Sequence, residues 1–259
     1  VGRPSVRASE TERSRQVVRF PHVLQVHREI LDSPWEEPGT TDLANARALP
    51  PAATTTPRRL PAPRPLQVPV TTALRQRRSS FGRFSANRPL SQQELSTILR
   101  AAHDGSTLLD GTGLSRLSVF ANHVDDLPAG SYDFAPEDAE LRPVQEHDVA
   151  TFLQRNYFLN NYNLEQCAAV ITVIARPTAV TEAVGPRGYR RVNAEVGAVT
   201  QSVYLACAAL DVGCGAALGF DNVSYQEELQ ITDETEWPLL ILMIGHEREG
   251  QPEFVYRNV

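Results

Sequence analysis

Four arginines and two serines fall within nine residues of the stretch "LRQRRSSFGRF": Arg75, Arg77, Arg78, Ser79, Ser80 and Arg83. Guanidinium groups grip phosphate or carboxylate oxygens two at a time, and serine hydroxyls add neutral donors. The chemistry open to such a set is anion binding. A solvated stretch is the plain reading beside it, since arginine is mostly exposed in folded proteins. A second set is "GCGAALGFD", Gly213 to Asp221. Its small residues let a ligand reach the backbone, so that main-chain N–H and C=O groups would hold a planar heterocycle. A third is "GPRGYRR", Gly185 to Arg191. It reads either as a basic loop capping the following helix or as a pocket mouth with Arg187 and Tyr189.

Gly-Cys-Gly tempts one toward a dinucleotide fingerprint, but that motif follows a strand and opens a helix. Here the glycines come after a long helical pattern, and Gly213 is expected as its C-terminal cap with positive φ. Cys167, Cys207 and Cys214 are the only cysteines. They have no metal spacing, and Cys207 and Cys214 read as small core residues rather than nucleophiles. The low, odd count fits reduced thiols, so a cytoplasmic protein without a metal site is expected.

These sets need elements to position them. Ser91 with Glu94 forms a capping box, Leu90 with Leu95 a hydrophobic staple, and Leu95, Ile98, Leu99 and Ala102 one apolar helical face. "RLSVFANHV" (116–124) reads as a strand, followed by a turn at "DDLPAGSYDF". "AAVITVIA" and "LLILMIGH" are continuous apolar runs, expected as strands covered on both faces. Between them lies "RRVNAEVGAVTQSVYLACAALDVG". Val192, Val196, Val199, Val203, Ala206 and Leu210 alternate at four and three residues, which is one face of a long helix. Its small residues permit close packing of another helix, in this chain or a second subunit. The order helix, strand, connection, strand, long helix, short strand, strand reads as α+β around one central sheet.

Upstream, the prolines, alanines and threonines of "LPPAATTTPRRLPAPRPLQVP" (49–69) cannot build a core or a regular helix, and the segment is expected to run extended over a surface. The segment "RQVVRFPHVLQVHREILDS" before it suits a short helix. The expected organisation is therefore an arm and linker over residues 1–69 and a folded domain over 70–259. The chain has 259 residues, 41 % of them hydrophobic, and a net charge of -6. That composition suits a soluble domain with a sizeable core and argues against nucleic acid as the main partner. No apolar run approaches a membrane span, and the first residues do not read as a signal peptide.

Taken in order, "RRSSFGRF", "PLSQQELSTILRAA", "LPAGSYDFAPEDAELRPV", "RGYRRVNAEVGAVTQSVYLACAAL", "GAALGFD" and "EWPLLILMIG" resemble the nitroreductase-like flavoproteins. Within them the chain is most similar to the SagB-type dehydrogenases, which oxidise thiazolines and oxazolines in ribosomal peptide natural products. The resemblance runs from about residue 73 to 246. It implies an α+β sandwich with a central mixed sheet flanked by helices, and FMN bound at a dimer interface. Arg77, Arg78 and Ser79 would hold the FMN phosphate and ribityl chain. Arg83 is a further candidate, displaced by one extra residue before Phe84. Ala216, Leu218 and Gly219 would lie along the isoalloxazine edge, with a backbone N–H near the reactive nitrogen.

Two positions depart from that pattern. Azoline-oxidising members carry a Lys-Tyr pair where this chain has Ala183 and Val184. Removing the substrate proton needs a titratable group, which alanine and valine lack. The base would then be another residue such as Tyr189, or solvent, and Tyr189 and Arg187 are the catalytic candidates. A Pro-Ser-x-Gly segment that touches flavin in the family is replaced by "LLDGTGLSRL". The resemblance thus implies an FMN-dependent dehydrogenase acting on a peptide or small molecule, as a homodimer or as a heterodimer with a related flavoprotein. Two alternatives accompany it: a degenerate subunit partnering an active dehydrogenase, and an NAD(P)H-dependent reductase of small electrophiles.

Overall fold

Seven strands form one sheet in the order β1-β4-β3-β2-β5-β7-β6. The structure, a computed structural model, describes residues 18–33, 43–51, 56–109 and 111–249. The chain divides into a unit of residues 1–34 and a unit of residues 35–259. In the first, helix α1 (Pro21–Asp32) starts with proline in its first turn, where the missing N–H costs nothing.

In the second unit the strands are β1 (Arg58–Arg59), β2 (Arg116–Ala121), β3 (Gly130–Ala135), β4 (Glu140–Gln145), β5 (Ala169–Ala175), β6 (Gly213–Ala217) and β7 (Trp237–Gly245). The helices are α2 (Val70–Gln76), α3 (Gln92–Ser106), α4 (Ala150–Arg155), α5 (Pro177–Val184), α6 (Gly188–Leu210) and α7 (Asn222–Glu228). The α+β sandwich with a central sheet is present. Where the resemblance implied a mixed sheet, every ladder among the described residues is antiparallel. The cause lies in the order. β5 and β6, joined through α5 and α6, run in the same direction, but β7 is inserted between them. Parallel contact is left to single bridges, Ser79 with Cys214 and Leu90 with Val124.

All seven residues of β5 are buried, as its unbroken apolar run requires. Ala169, Ile171, Val173 and Ala175 join the core layer that holds α3 and α6. Val170 and Ile174 face the other layer, with Phe84, Phe120, Leu153, Tyr162, Tyr225 and Met243. The alternation is the strand period of two. In α3 the capping box is complete: the Ser91 side chain accepts from the Glu94 amide at 3.2 Å, and Glu94 accepts from the Ser91 amide at 3.0 Å. Leu90 and Leu95 are both fully buried beside it.

Two sequence expectations are corrected. The stretch read as a turn, "DDLPAGSYDF", turns only in its first half and then enters β3, all six residues of which are buried between β2 and β4. Its aromatics point into a core that local turn chemistry does not reveal. The cap of α6 is Asp211, in the left-handed conformation at φ 57°, not Gly213. Gly213 opens β6 instead, and it is glycine for a different reason. A Cβ there would lie 2.8 Å from Cγ of Glu247 and 2.9 Å from Oγ of Ser80.

The proline-rich segment, in its described part, is mostly exposed and follows the domain surface. Arg58 and Arg59 pair with β4, Leu60 is buried, and the Pro61 carbonyl accepts from Ser96 at 2.7 Å. The backbone N–H of Arg64 donates to the Thr97 hydroxyl at 3.0 Å, so two side chains of α3 fasten the segment.

Candidate functional site

The anion-binding stretch begins where α2 ends. Arg77 caps α2 in a non-helical conformation, its N–H bonded to the Ala73 carbonyl. The chain then runs beside β6, an edge strand: the Ser80 amide donates to the Cys214 carbonyl at 2.8 Å. Strand alternation turns the Ala216 amide to the same open edge. That amide donates to the hydroxyl of Tyr204, in α6, at 3.1 Å. The Tyr204 hydroxyl in turn lies 3.1 Å from the Ser79 hydroxyl. The guanidinium of Arg77 sits over the Tyr204 ring, 5.7 Å from its centroid.

Tyr162 closes the other side of Ser79. The Ser79 hydroxyl and the Phe81 amide both face its phenol oxygen. Its ring lies against β6, where a Cβ on Gly215 would come within 2.6 Å of three ring atoms. Only glycine admits the tyrosine there. Burial raises the Tyr162 pKa to about 12 and raises that of Tyr204 as well. Both phenols are therefore neutral near pH 7, and each keeps a proton to donate.

The structure brings together Arg77, Ser79 and Ala216 from the sequence-expected set, joined by Tyr204 and Tyr162. It gives other expected residues separate surroundings. Arg78 forms an ion pair with Glu247 at 2.8 Å. Arg83 folds back, its Nε 3.4 Å from the Ser80 carbonyl. The extra residue before Phe84 is absorbed by the turn Ser80–Arg83, closed by the Arg83 amide on the Ser80 carbonyl at 3.2 Å. Both central residues are left-handed, Phe81 at φ 47° and Gly82 at φ 74°. Phe81 stands at the tip, 67 % exposed. Leu218 is 74 % exposed, and the Gly219 carbonyl accepts from the Phe158 amide at 2.8 Å. Asp221 caps α7, accepting from the Val223 and Ser224 amides.

Arg187 and Tyr189 stand at the opposite end of α6. Arg187 is the N-cap and Tyr189 is 49 % exposed in the first turn. At 1.5 Å per residue, Tyr189 is about 22 Å along the helix from Tyr204. One chain therefore does not unite them with the Arg77 cluster. Ala183 and Val184 close α5, followed by Gly185 at φ 78°.

A further residue escapes sequence reading. The Glu195 carboxylate, on α6, is buried. It accepts from the amides of Leu114 and Ser115 at 2.9 and 2.7 Å and from the Ser115 hydroxyl at 2.7 Å. It thereby fixes the loop that replaces the expected Pro-Ser segment. Burial raises its pKa despite those bonds. Sequence shows only a charged residue inside an apolar helix pattern; its partners are backbone groups 80 and 81 residues away.

A cleft of about 530 Å³ lies elsewhere, lined by Gln145, Thr151, Phe152, Arg155, Asn156, Ser224, Glu227 and Glu228, and it shares no residue with the hydroxyl cluster. The three cysteines are buried, and burial pushes the Cys167 and Cys214 thiols up, away from the reactive thiolate. Among the described residues no helix is long and apolar enough to cross a membrane.

The family model that matches the chain is described as the nitroreductase family and covers residues 74–246. The candidate nitroreductase MJ1384 of Methanocaldococcus jannaschii is 29 % identical over 169 residues, 62 % of this chain and 83 % of that protein. Among solved structures, a candidate nitroreductase of Ralstonia eutropha is similar at TM-score 0.59 and 21 % identity, covering 83 % of this chain and 99 % of that one. One from Anabaena variabilis is similar at TM-score 0.60 and 23 % identity over 69 % of this chain, which spans only 38 % of that protein's length. The Escherichia coli microcin synthetase McbBCD complex with truncated pro-MccB17 bound contains a chain similar at TM-score 0.57 and 17 % identity, over 67 % of this chain and 70 % of that one.

Proposed function

Because the chain belongs to the nitroreductase family, a flavin oxidoreductase fold, we propose that it is an FMN-dependent oxidoreductase that dehydrogenates azoline rings or a related bond in a peptide. The observation that carries the reading is the meeting of Arg77, Ser79, Tyr204 and the Ala216 amide at the edge of β6. This donor set fits FMN. The guanidinium of Arg77 has no carboxylate partner among the described residues, and its contact is the Tyr204 face. It is a cation available to a phosphate. The Ser79 and Tyr204 hydroxyls suit the polyol and the heteroatoms of a planar ring. Ala216 presents almost no side chain that would hold such a ring off the backbone.

Bound FMN would supply hydride transfer to and from carbon. The chain's own residues do the rest. Arg77 and Ser79 anchor the anionic end. Tyr204, neutral at pH 7, orients by donating rather than by removing a proton, and Tyr162 packs behind Ser79. Arg78 is already paired with Glu247, so a phosphate must compete for it. Tyr189 and Arg187 stand about 22 Å up α6, so a site that uses them takes them from a second copy or a related subunit. The occurrence of a similar chain in a peptide-bound synthetase complex supports a peptide substrate.

The test is incubation of the FMN-loaded protein with a synthetic azoline peptide under air. The proposal expects product lighter by two hydrogen atoms per ring; unchanged peptide, with flavin bleaching on mixing with NADPH, favours the reductase reading instead. Ala183 and Val184 at the end of α5 favour one second reading, a subunit that keeps the fold while a related flavoprotein supplies the base. Turnover of the azoline peptide by the isolated chain would exclude it.

A further inference from the structure

Tyr204, Ser79 and Tyr162 bring three hydroxyl protons into one buried cluster. Contacts among the three absorb at most two of them: Tyr204 with Ser79 at 3.1 Å, and Ser79 with Tyr162. The groups at the two ends are donors as well. The Ala216 amide donates to Tyr204, and the Phe81 amide faces the Tyr162 oxygen. Among the described residues no carbonyl or carboxylate accepts from any of the three hydroxyls. The cluster therefore has at least one O–H to spare, and the O–H of a buried tyrosine is ordinarily paired.

Two arrangements are open to the chain of hydroxyls. In one the spare proton is on Tyr162, in the other on Tyr204. Arg77 decides between them. Its guanidinium stands over the Tyr204 ring, so an anionic ligand drawn to that cation arrives at the Tyr204 end. In that arrangement Ser79 donates to Tyr204, and Tyr162 faces Ser79 from the other side. The Tyr204 oxygen then accepts two hydrogen bonds, from Ser79 and from Ala216, which polarises its own O–H toward the ligand.

From this geometry we infer that the Tyr204 hydroxyl is a ligand-binding donor, aimed at a neutral acceptor (a ring carbonyl, ring nitrogen or polyol oxygen) on the part of the ligand beyond its phosphate. The inference rests on the flavin reading. Arg77 holds the charge and Tyr204 reads the uncharged part. Ser79 donates to Tyr204 in that arrangement, and Tyr162 does not touch the ligand.

The experiment is fluorescence titration of the full chain and its Tyr204→Phe and Tyr162→Phe variants with FMN and with riboflavin, which lacks the phosphate. Phenylalanine keeps each ring and its packing, while Tyr204→Phe also takes the acceptor from the Ala216 amide; thermal melts confirm the fold. Tyr204→Phe is expected to weaken FMN and riboflavin alike, by about threefold to tenfold, the loss of one neutral hydrogen bond. Tyr162→Phe is expected to stay within about twofold of wild type, because Ser79 still donates to Tyr204. Wild-type binding that Tyr204→Phe leaves unchanged overturns this inference alone. A loss confined to FMN, or a larger effect of Tyr162→Phe, overturns it too, since either would place the contact elsewhere. Absence of flavin binding by the wild type overturns both this inference and the reading beneath it.

Discussion

The hydroxyls of Ser79 and Tyr204 meet at 3.1 Å across 125 residues of sequence. That contact joins the segment after α2 to the C-terminal half of α6, and the Ala216 amide at the edge of β6 completes it. Three elements distant in the chain are thus registered on one small group of polar atoms. The arginine beside them owes its position to the same contact, since Arg77 lies over the Tyr204 ring.

Arg77 and Arg78 are adjacent in sequence but differ in surroundings, and their variants should differ too. Arg77→Ala is expected to weaken FMN by about tenfold to a hundredfold, the value of a charge-assisted hydrogen bond, and riboflavin hardly at all. Arg78→Ala is expected to cost less than about threefold, because Glu247 already occupies that guanidinium. Equilibrium titration of the two variants with both flavins checks the order.

Gly215→Ala should destabilise the protein by about 1–3 kcal/mol, since the added methyl meets the Tyr162 ring. In a domain of this size that lowers the melting temperature by about 2 to 10 °C. Adding Tyr162→Ala removes the clash, so the two effects should be clearly non-additive in a double-mutant cycle read by calorimetry.

Glu195 gives a pH signature. Its folded pKa is raised above the ordinary 4.5 by burial. Between the unfolded and folded values the native state holds the extra proton, so stability falls as pH rises through that window. Glu195→Gln does not titrate, and it turns its amide N–H₂ toward one side of the donor set, Leu114 or Ser115, at a cost of about 1–3 kcal/mol. The advantage of wild type over the variant should shrink from about pH 4.5 upward and then level off. Urea unfolding of both proteins over that range measures it; an advantage that grows with pH would contradict the sign.

Separation along α6 predicts complementation. If Arg77 and Tyr189 serve one site from different copies, inactive Arg77→Ala and Tyr189→Phe proteins, unfolded together and refolded as a mixture, should recover about a quarter of wild-type activity. Half of the random dimers are mixed, and one of the two sites in each is wild type. No recovery, with mixed dimers shown by mass spectrometry, would place both residues outside a shared site.

Local signals in the sequence carried far. Ser91 and Glu94 announced the start of α3 because capping is chemistry between near neighbours. The apolar runs of β5 and β7 and the period of α6 announced themselves through burial pattern. Arg77 and Ser79 were legible from residue type as candidates for an anion site. Tyr204 and Tyr162 were not, because a tyrosine in an apolar stretch looks like core until its hydroxyl finds a partner far along the chain. Glu195 was hidden for the same reason. Arg78 fitted phosphate by type as well, and only folding brings Glu247 against it. Gly213 resembled a helix cap, whereas the close approach of Ser80 and Glu247 is what excludes a side chain there.

Titration of the purified protein with FMN, followed by visible absorbance and flavin fluorescence, tests the central claim most directly. The account predicts saturable binding of one FMN per chain, with a shifted flavin spectrum that Arg77→Ala weakens at least about tenfold. A colourless protein that leaves the spectrum and fluorescence of added FMN unchanged would contradict it.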